Sequence, residues 1–233
     1  MPTSNRLSLI FALIVAVLAP LIFTSIALSG LSNLHIPPDI AWKLLIGIVL
    51  GGLINIPIKR TVRDVPVWTH ALTLFGIAEA FPRWATYRHE SIIAVNVGGC
   101  LIPVGIAIYE LSYLIPLGSQ MIWAVTIATA INTVVCYAFA TPIPKVGIVM
   151  PGFIAPLTAV LAAVVLAPEQ AAPVAFVAGV LGPLIGADFL HIDAFTDTPV
   201  GVASIGGAGT FDGIVLSGIL AAFLARDYGV GIW

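Results

Sequence analysis

Residues 201–216 read GVASIGGAGTFDGIVL: five glycines within thirteen residues and one carboxylate, Asp212, inside an apolar stretch. A helix crossing lipid has little use for either. Glycine weakens a helix by about 1 kcal/mol relative to alanine. An aspartate at mid-bilayer costs roughly 2.5–3.5 kcal/mol on insertion scales. The local reading is an unwound segment, Ser204 to Gly209, leading to a helix that starts near Thr210, a good N-cap residue. Asp212 then sits in the first turn, where the helix dipole favours a carboxylate by roughly 0.3–1 kcal/mol. That is too little to hold a deep aspartate. A deep Asp212 needs a polar partner, water or a cation, whereas an interfacial one needs only the helix start.

The rest of the chain shows why a membrane is the right frame. Hydrophobic residues make up 60% and charged residues 9% of the 233 residues, and the mean hydropathy is +1.11. A soluble domain carries roughly 25% charged residues. Long continuous apolar runs read as transmembrane helices, and a β-barrel would show short alternating segments instead. The sequence predicts an all-α polytopic membrane protein, a single integral membrane domain over residues 1–233. It has about seven transmembrane helices, several broken by Gly or Pro: about 7–29, 41–58, 91–113, 119–140, 148–167, 171–190 and 203–225. The first run is too long for a signal-peptide core of roughly 7–15 residues, so it reads as a span, bent at Pro20. A net charge of −2 leaves no nucleic-acid footprint. Cys100 and Cys136 fall in apolar spans and read as buried thiols. The partner to expect is the lipid bilayer, with an oligomer or a larger complex left open.

Residues 59–90 form the sizeable polar segment, with KRTVRD, WTHALTLFG and PRWATYRHE in order. Trp68, Trp84 and Tyr87 suit a membrane interface, and a short amphipathic helix lying on the membrane is the expectation here. Lys59, Arg60, Arg63, Arg83 and Arg88 all lie in this loop. Basic loops stay cytoplasmic, which puts the N-terminus with Arg6 and the loop with Lys145 on the same side. The C-terminus is then outside, in a multi-pass protein of the cell membrane.

Glycine, proline and amides also interrupt GGLINIPIK (51–59), NVGGCLIP (96–103) and PKVGIVMPGFIAPL (144–157). One account is tight packing, since small residues let helices approach closely. The other is a polar cavity lined by discontinuous helices, with Asn55, Asn96, Gly206, Gly207, Gly209 and Thr210 as lining residues. A short, out-of-register likeness joins GGLINIP to GGCLIP. Asn132 and Glu110 are further polar groups within spans. Asp188, in LIGADFLHID, is a second intramembrane acid. Asp188 and His191 lie three apart and share a helix face, so a divalent metal is the cofactor their spacing suggests, with Asp212 as third ligand and Asp193 nearby. Asp188 precedes the cytoplasmic end of one span and Asp212 follows the start of the next. Two carboxyls at one depth share a proton, the arrangement in which one activates water and the other polarises a carbonyl.

GGLINIP, NVGGCLIP, GIVMPGFIAP, LIGAD and SIGGAGTFDGI together resemble an uncharacterised prokaryotic membrane-protein family, catalogued as domain of unknown function 1614, from about Ile46 to Leu224. The resemblance implies a fold and no mechanism. A fainter similarity links the acids to intramembrane aspartyl proteases of the presenilin, signal-peptide-peptidase and prepilin-peptidase type. Gly209-Thr210-Phe211-Asp212 keeps the first Gly and the Asp of their G-x-G-D motif, with Phe211 replacing the second Gly. Three functions follow as expectations. The first is an intramembrane hydrolase with Asp188 and Asp212 catalytic. The second is a transporter or channel for a small solute or cation. The third is a non-catalytic structural or assembly subunit.

Overall fold

A computed structural model of the chain describes residues 3–69, 83–143, 147–192 and 202–226. Among these residues it has seven α-helices: α1 Thr3–Ser32, α2 Pro38–Gly51, α3 Ile102–Leu114, α4 Ser119–Phe139, α5 Ile154–Leu166, α6 Ala171–Pro183 and α7 Gly213–Leu224. Single π-helical turns lead into α3 (Val97–Leu101) and continue α6 (Leu184–Phe189). Four helical stretches are long and apolar enough to cross a membrane: Phe11–Ser32, Val97–Leu117, Ser119–Phe139 and Pro168–Phe189. Ile154–Leu166 and Gly213–Leu224 are apolar but shorter.

The core is centred on α6. In the window around it 78% of residues are buried, against 6% along α1, so α6 is the axis and α1 a peripheral strut. α6 packs against α4, α5 and α7. Small residues make this possible: a Cβ on Gly179 would stand 2.9 Å from the Ser217 carbonyl oxygen, and one on Gly218 would meet Val180. The outer surface carries large apolar side chains, Phe11, Leu13, Trp123 and Leu161 among them, more than a soluble monomer exposes.

The all-α expectation is corrected by five strands: β1 Asn55–Thr69, β2 Arg83–Asn96, β3 Thr141–Ile143, β4 Gly147–Val149 and β5 Val202–Ile205. β1 and β2 pair antiparallel from Asn55↔Asn96 to Thr69↔Arg83, and β5 joins β2 in parallel. The amphipathic helix expected within 59–90 is therefore absent from its described parts. Pro66 accounts for this in β1, because a helix interior does not tolerate it, and β1, which also holds Pro57, is a sheet edge, where strand prolines belong; residues 70–82 of the segment lie outside the described residues. Val62, Val65, Val67, Thr86, Ile92 and Ile93 supply the β-branched residues that favour strands.

The strands also trim the expected spans. The second ends at Gly51, the third turns helical only at Val97, the fifth starts at Ile154 and the seventh at Gly213. At each of these ends glycine or proline lets the backbone leave the helix.

Candidate functional site

Three of the four broken segments, 51–59, 96–103 and 204–213, converge on one place. α2 stops at Gly51, and Ile54 N–H donates to the Gly51 carbonyl as the chain turns into β1. Asn96, at the end of β2, is fully buried. Its Oδ1 accepts from Gly99 N–H at 2.7 Å, capping the π-turn. Its Nδ2 donates to the Gly52 carbonyl at 2.8 Å and to Asn55 Oδ1 at 3.0 Å. Asn55 is exposed and also accepts from Ser204 Oγ on β5. One buried amide thus ties α2, β1, β2 and the π-turn together.

Backbone meets backbone beside it. A Cβ on Gly98 would fall on the Ile48 carbonyl and the Gly52 nitrogen, and one on Gly99 would fall on the Gly206 carbonyl. Gly209 lies against Gly52, where a Cβ would stand 3.1 Å from its Cα. Gly206 and Gly209 have φ of +71° and +61°, a region that favours glycine. The two motifs with similar sequence, at 51–57 and 98–103, pack against each other here, and the 206–209 turn closes over both. Gly207 is exposed and Thr210 half-buried.

This turn is not helical, as the sequence predicts, but its details differ. β5 gives way to a turn at 206–208 and a single 3₁₀ turn, Gly209–Phe211. The helix cap is Asp212, not Thr210. Asp212 Oδ1 accepts from Ile214 N–H at 3.0 Å and Oδ2 from Ala208 N–H at 3.3 Å. The physical reason lies in the left-handed Gly209, which turns the chain so that Asp212 faces the free N–H groups of both the turn and the first helical residues.

Asp188 reaches the same place from the π-turn that extends α6. It takes a hydrogen bond from Gly206 N–H and feels the charge of Asp212. Cys100, on the other π-turn, feels both carboxylates. Both acids are half-buried and Cys100 is buried. The pair is therefore two carboxyls from different elements, steadied by backbone donors, with a thiol alongside. π-turns inside α-helices often mark functional positions, but the sequence carries no clear signal for them, and in sequence Cys100 has only the mark of a buried thiol.

His191 is held by its own backbone and by Tyr137. Its Nδ1 lies 3.1 Å and 3.0 Å from the carbonyls of Gly186 and Ala187, and its ring stacks on Tyr137 at 4.8 Å. No group of three or more His, Cys, Asp or Glu arranged for a metal occurs among the described residues. Asp193 lies outside them.

The family described as "Protein of unknown function (DUF1614)" matches residues 49–224. That is most of the chain, and the chain belongs to this family. No curated protein and no solved structure matches it.

Proposed function

We propose that this member of the DUF1614 family is a multi-pass cell-membrane protein that crosses the bilayer seven times and hydrolyses peptide bonds within it, through Asp188 and Asp212. In this reading α2, α5 and α7 complete the spans of the four longer helices. The β1–β2 hairpin, with its five Lys and Arg, faces the cytoplasm by the preference of basic segments for that side. The N-terminus lies with it and the C-terminus lies outside.

The observation that carries the proposal is that Asp188 and Asp212, from different elements, bond N–H groups two residues apart in the same glycine turn, at Gly206 and Ala208. Two carboxyls at close range share one proton. The two N–H groups bonded to Asp212 favour the carboxylate there, which leaves the proton on Asp188. Asp212 then removes a proton from water as its oxygen attacks the peptide carbonyl carbon. Asp188 gives its proton to the carbonyl oxygen. As the tetrahedral diol collapses, one hydroxyl returns its proton to Asp188 and becomes the new carbonyl, the C–N bond breaks, and the amine leaves with the proton that Asp212 took from water. The products are one carboxylic acid and one amine.

The test is cleavage of labelled transmembrane peptides by purified protein in liposomes made with ¹⁸O water. The expected result is ¹⁸O in the new carboxyl, lost in both Asp188→Asn and Asp212→Asn while thermal unfolding stays as in the parent. A specific observation favours a second reading: the cap made by Asp212 is explained by packing alone. Folded Asn variants that cleave as fast as the parent would leave that structural role standing. Loss of cation or solute flux without any cleavage would favour a transporter.

A further inference from the structure

At the opposite end of the bundle from the acid pair, an ionisable pair adjoins an apolar cleft. Glu110 is fully buried on α3, with its Oε2 2.8 Å from His35 Nδ1. Its Oε1 accepts from His35 backbone N–H at 3.2 Å. The His35 ring stacks on Tyr113 at 4.8 Å. Tyr109 hydroxyl donates to the His35 carbonyl at 3.0 Å and pairs with the Tyr113 hydroxyl at 2.9 Å. With Nδ1 on the carboxylate, Nε2 is the ring nitrogen left for a ligand, and the side chain is 34% exposed.

Tyr109 also borders the cleft, about 340 Å³ in volume, whose aliphatic walls are Ile36, Ile40, Leu44, Ile102 and Ile106. Its size falls within the range of small-molecule sites, and apolar walls with a few convergent polar groups are the usual form of one. Gly105 lies in the wall, and a Cβ there would meet nothing within 4 Å. The space is therefore kept open by the missing side chain.

Two observations identify the occupant. Trp42, Trp123, Tyr109 and Tyr113 are exposed at this end of their helices, the placement of aromatic residues at the headgroup level. The flanking Ile46 and Ile108 are exposed aliphatics, so the mouth is continuous with the apolar outer surface. A cation for a phosphate stands beside the mouth: Lys43, next to Leu44 on α2, is 75% exposed and pairs with Asp39 at 3.6 Å, an exposed ion pair weak enough for a phosphate to displace. We propose that this cleft holds one hydrocarbon chain of an anionic bilayer phospholipid, with the head oxygens at Tyr109, His35 and Lys43. The site is separate from the acid pair and does not depend on its chemistry.

Native mass spectrometry of protein taken from vesicles of phosphatidylglycerol and phosphatidylcholine tests this. One phosphatidylglycerol should stay bound per chain. Gly105→Leu fills the cleft and should lower that occupancy at least tenfold, with Tm equal to or above the parent because leucine is the better helix former. Lys43→Gln should leave the cleft occupied and remove the preference for phosphatidylglycerol. Three results would overturn the proposal: full lipid occupancy in folded Gly105→Leu, equal retention of both lipids by the parent, or a lipid-free dimer that forms a disulfide across the cleft face in Ile40→Cys/Ile108→Cys.

Discussion

Gly98→Ala and Gly105→Ala are the same chemical change seven residues apart, and they should move stability in opposite directions. At Gly98 the added methyl lands on the Ile48 carbonyl and the Gly52 nitrogen. Both obstacles are backbone, so no side-chain rotation relieves them, and the last turn of α2 must shift. Overpacking costs typically about 1–3 kcal/mol, and backbone obstruction puts Gly98→Ala at the upper end. At Gly105 nothing lies within 4 Å of the new carbon, and replacing a helical glycine by alanine gains about 1 kcal/mol. The two variants should differ by roughly 3–4 kcal/mol, or two to three decades in the unfolding constant at about 1.4 kcal/mol per decade. Reversible unfolding in mixed micelles, followed by circular dichroism, measures the difference. If Gly98→Ala came within about 1 kcal/mol of Gly105→Ala, the backbone contact between α2 and the π-turn would be wrong.

Asn96→Ala should cost about 2 kcal/mol, since it strands the buried Gly99 N–H and the half-buried Gly52 carbonyl, with about 1–3 kcal/mol for a buried unsatisfied group and less for a half-buried one; chemical denaturation reads this directly. His35→Ala should destabilise more than Glu110→Gln, because it leaves a buried carboxylate without its ring partner. Breaking a buried pair costs roughly 3–5 kcal/mol, and the partial exposure of His35 puts this pair below that range. Asp212→Ala should lose about 1 kcal/mol through the cap, Asp212→Asn much less, and neither should cleave peptide; melting curves set beside the ¹⁸O assay separate the two effects.

The helical part of the fold was legible because apolar runs are long and charges few. The break at 204–209 was legible too, since three glycines in four residues, Gly206 to Gly209, cannot favour a helix. The hairpin is less legible, because its basic residues suit a surface loop and its strands do not alternate cleanly; the signal is the β-branched content of 55–69, Ile56, Ile58, Thr61, Val62, Val65 and Val67, together with Pro57 and Pro66. The cap moved from Thr210 to Asp212 because both are good capping residues and only the left-handed Gly209 chooses between them. The spacing of Asp188 and His191 reads differently on the backbone that carries them. Three residues apart means one face on an α-helix, but Leu184–Phe189 is a π-turn, and its wider winding carries His191 back over its own backbone. Sequence spacing could not bring the 51–57 and 98–103 motifs together, since that contact depends on the hairpin joining them.

The acid pair and the glycine contact are one construction. Gly206 gives its N–H to Asp188 and its carbonyl to Gly209, and its backbone presses on Gly99 and Cys100. Gly209 accepts from Asp212 N–H and lies on Gly52. A side chain that pushes these glycines apart must therefore displace both carboxyls, so glycine variants lose fold and chemistry together and cannot tell one from the other. Asp212→Asn can. It keeps an oxygen for the helix N-terminus and removes the charge that would deprotonate water. If cleavage persisted there, the pair would be a structural cap that happens to lie beside a second acid, and the glycines would serve packing alone.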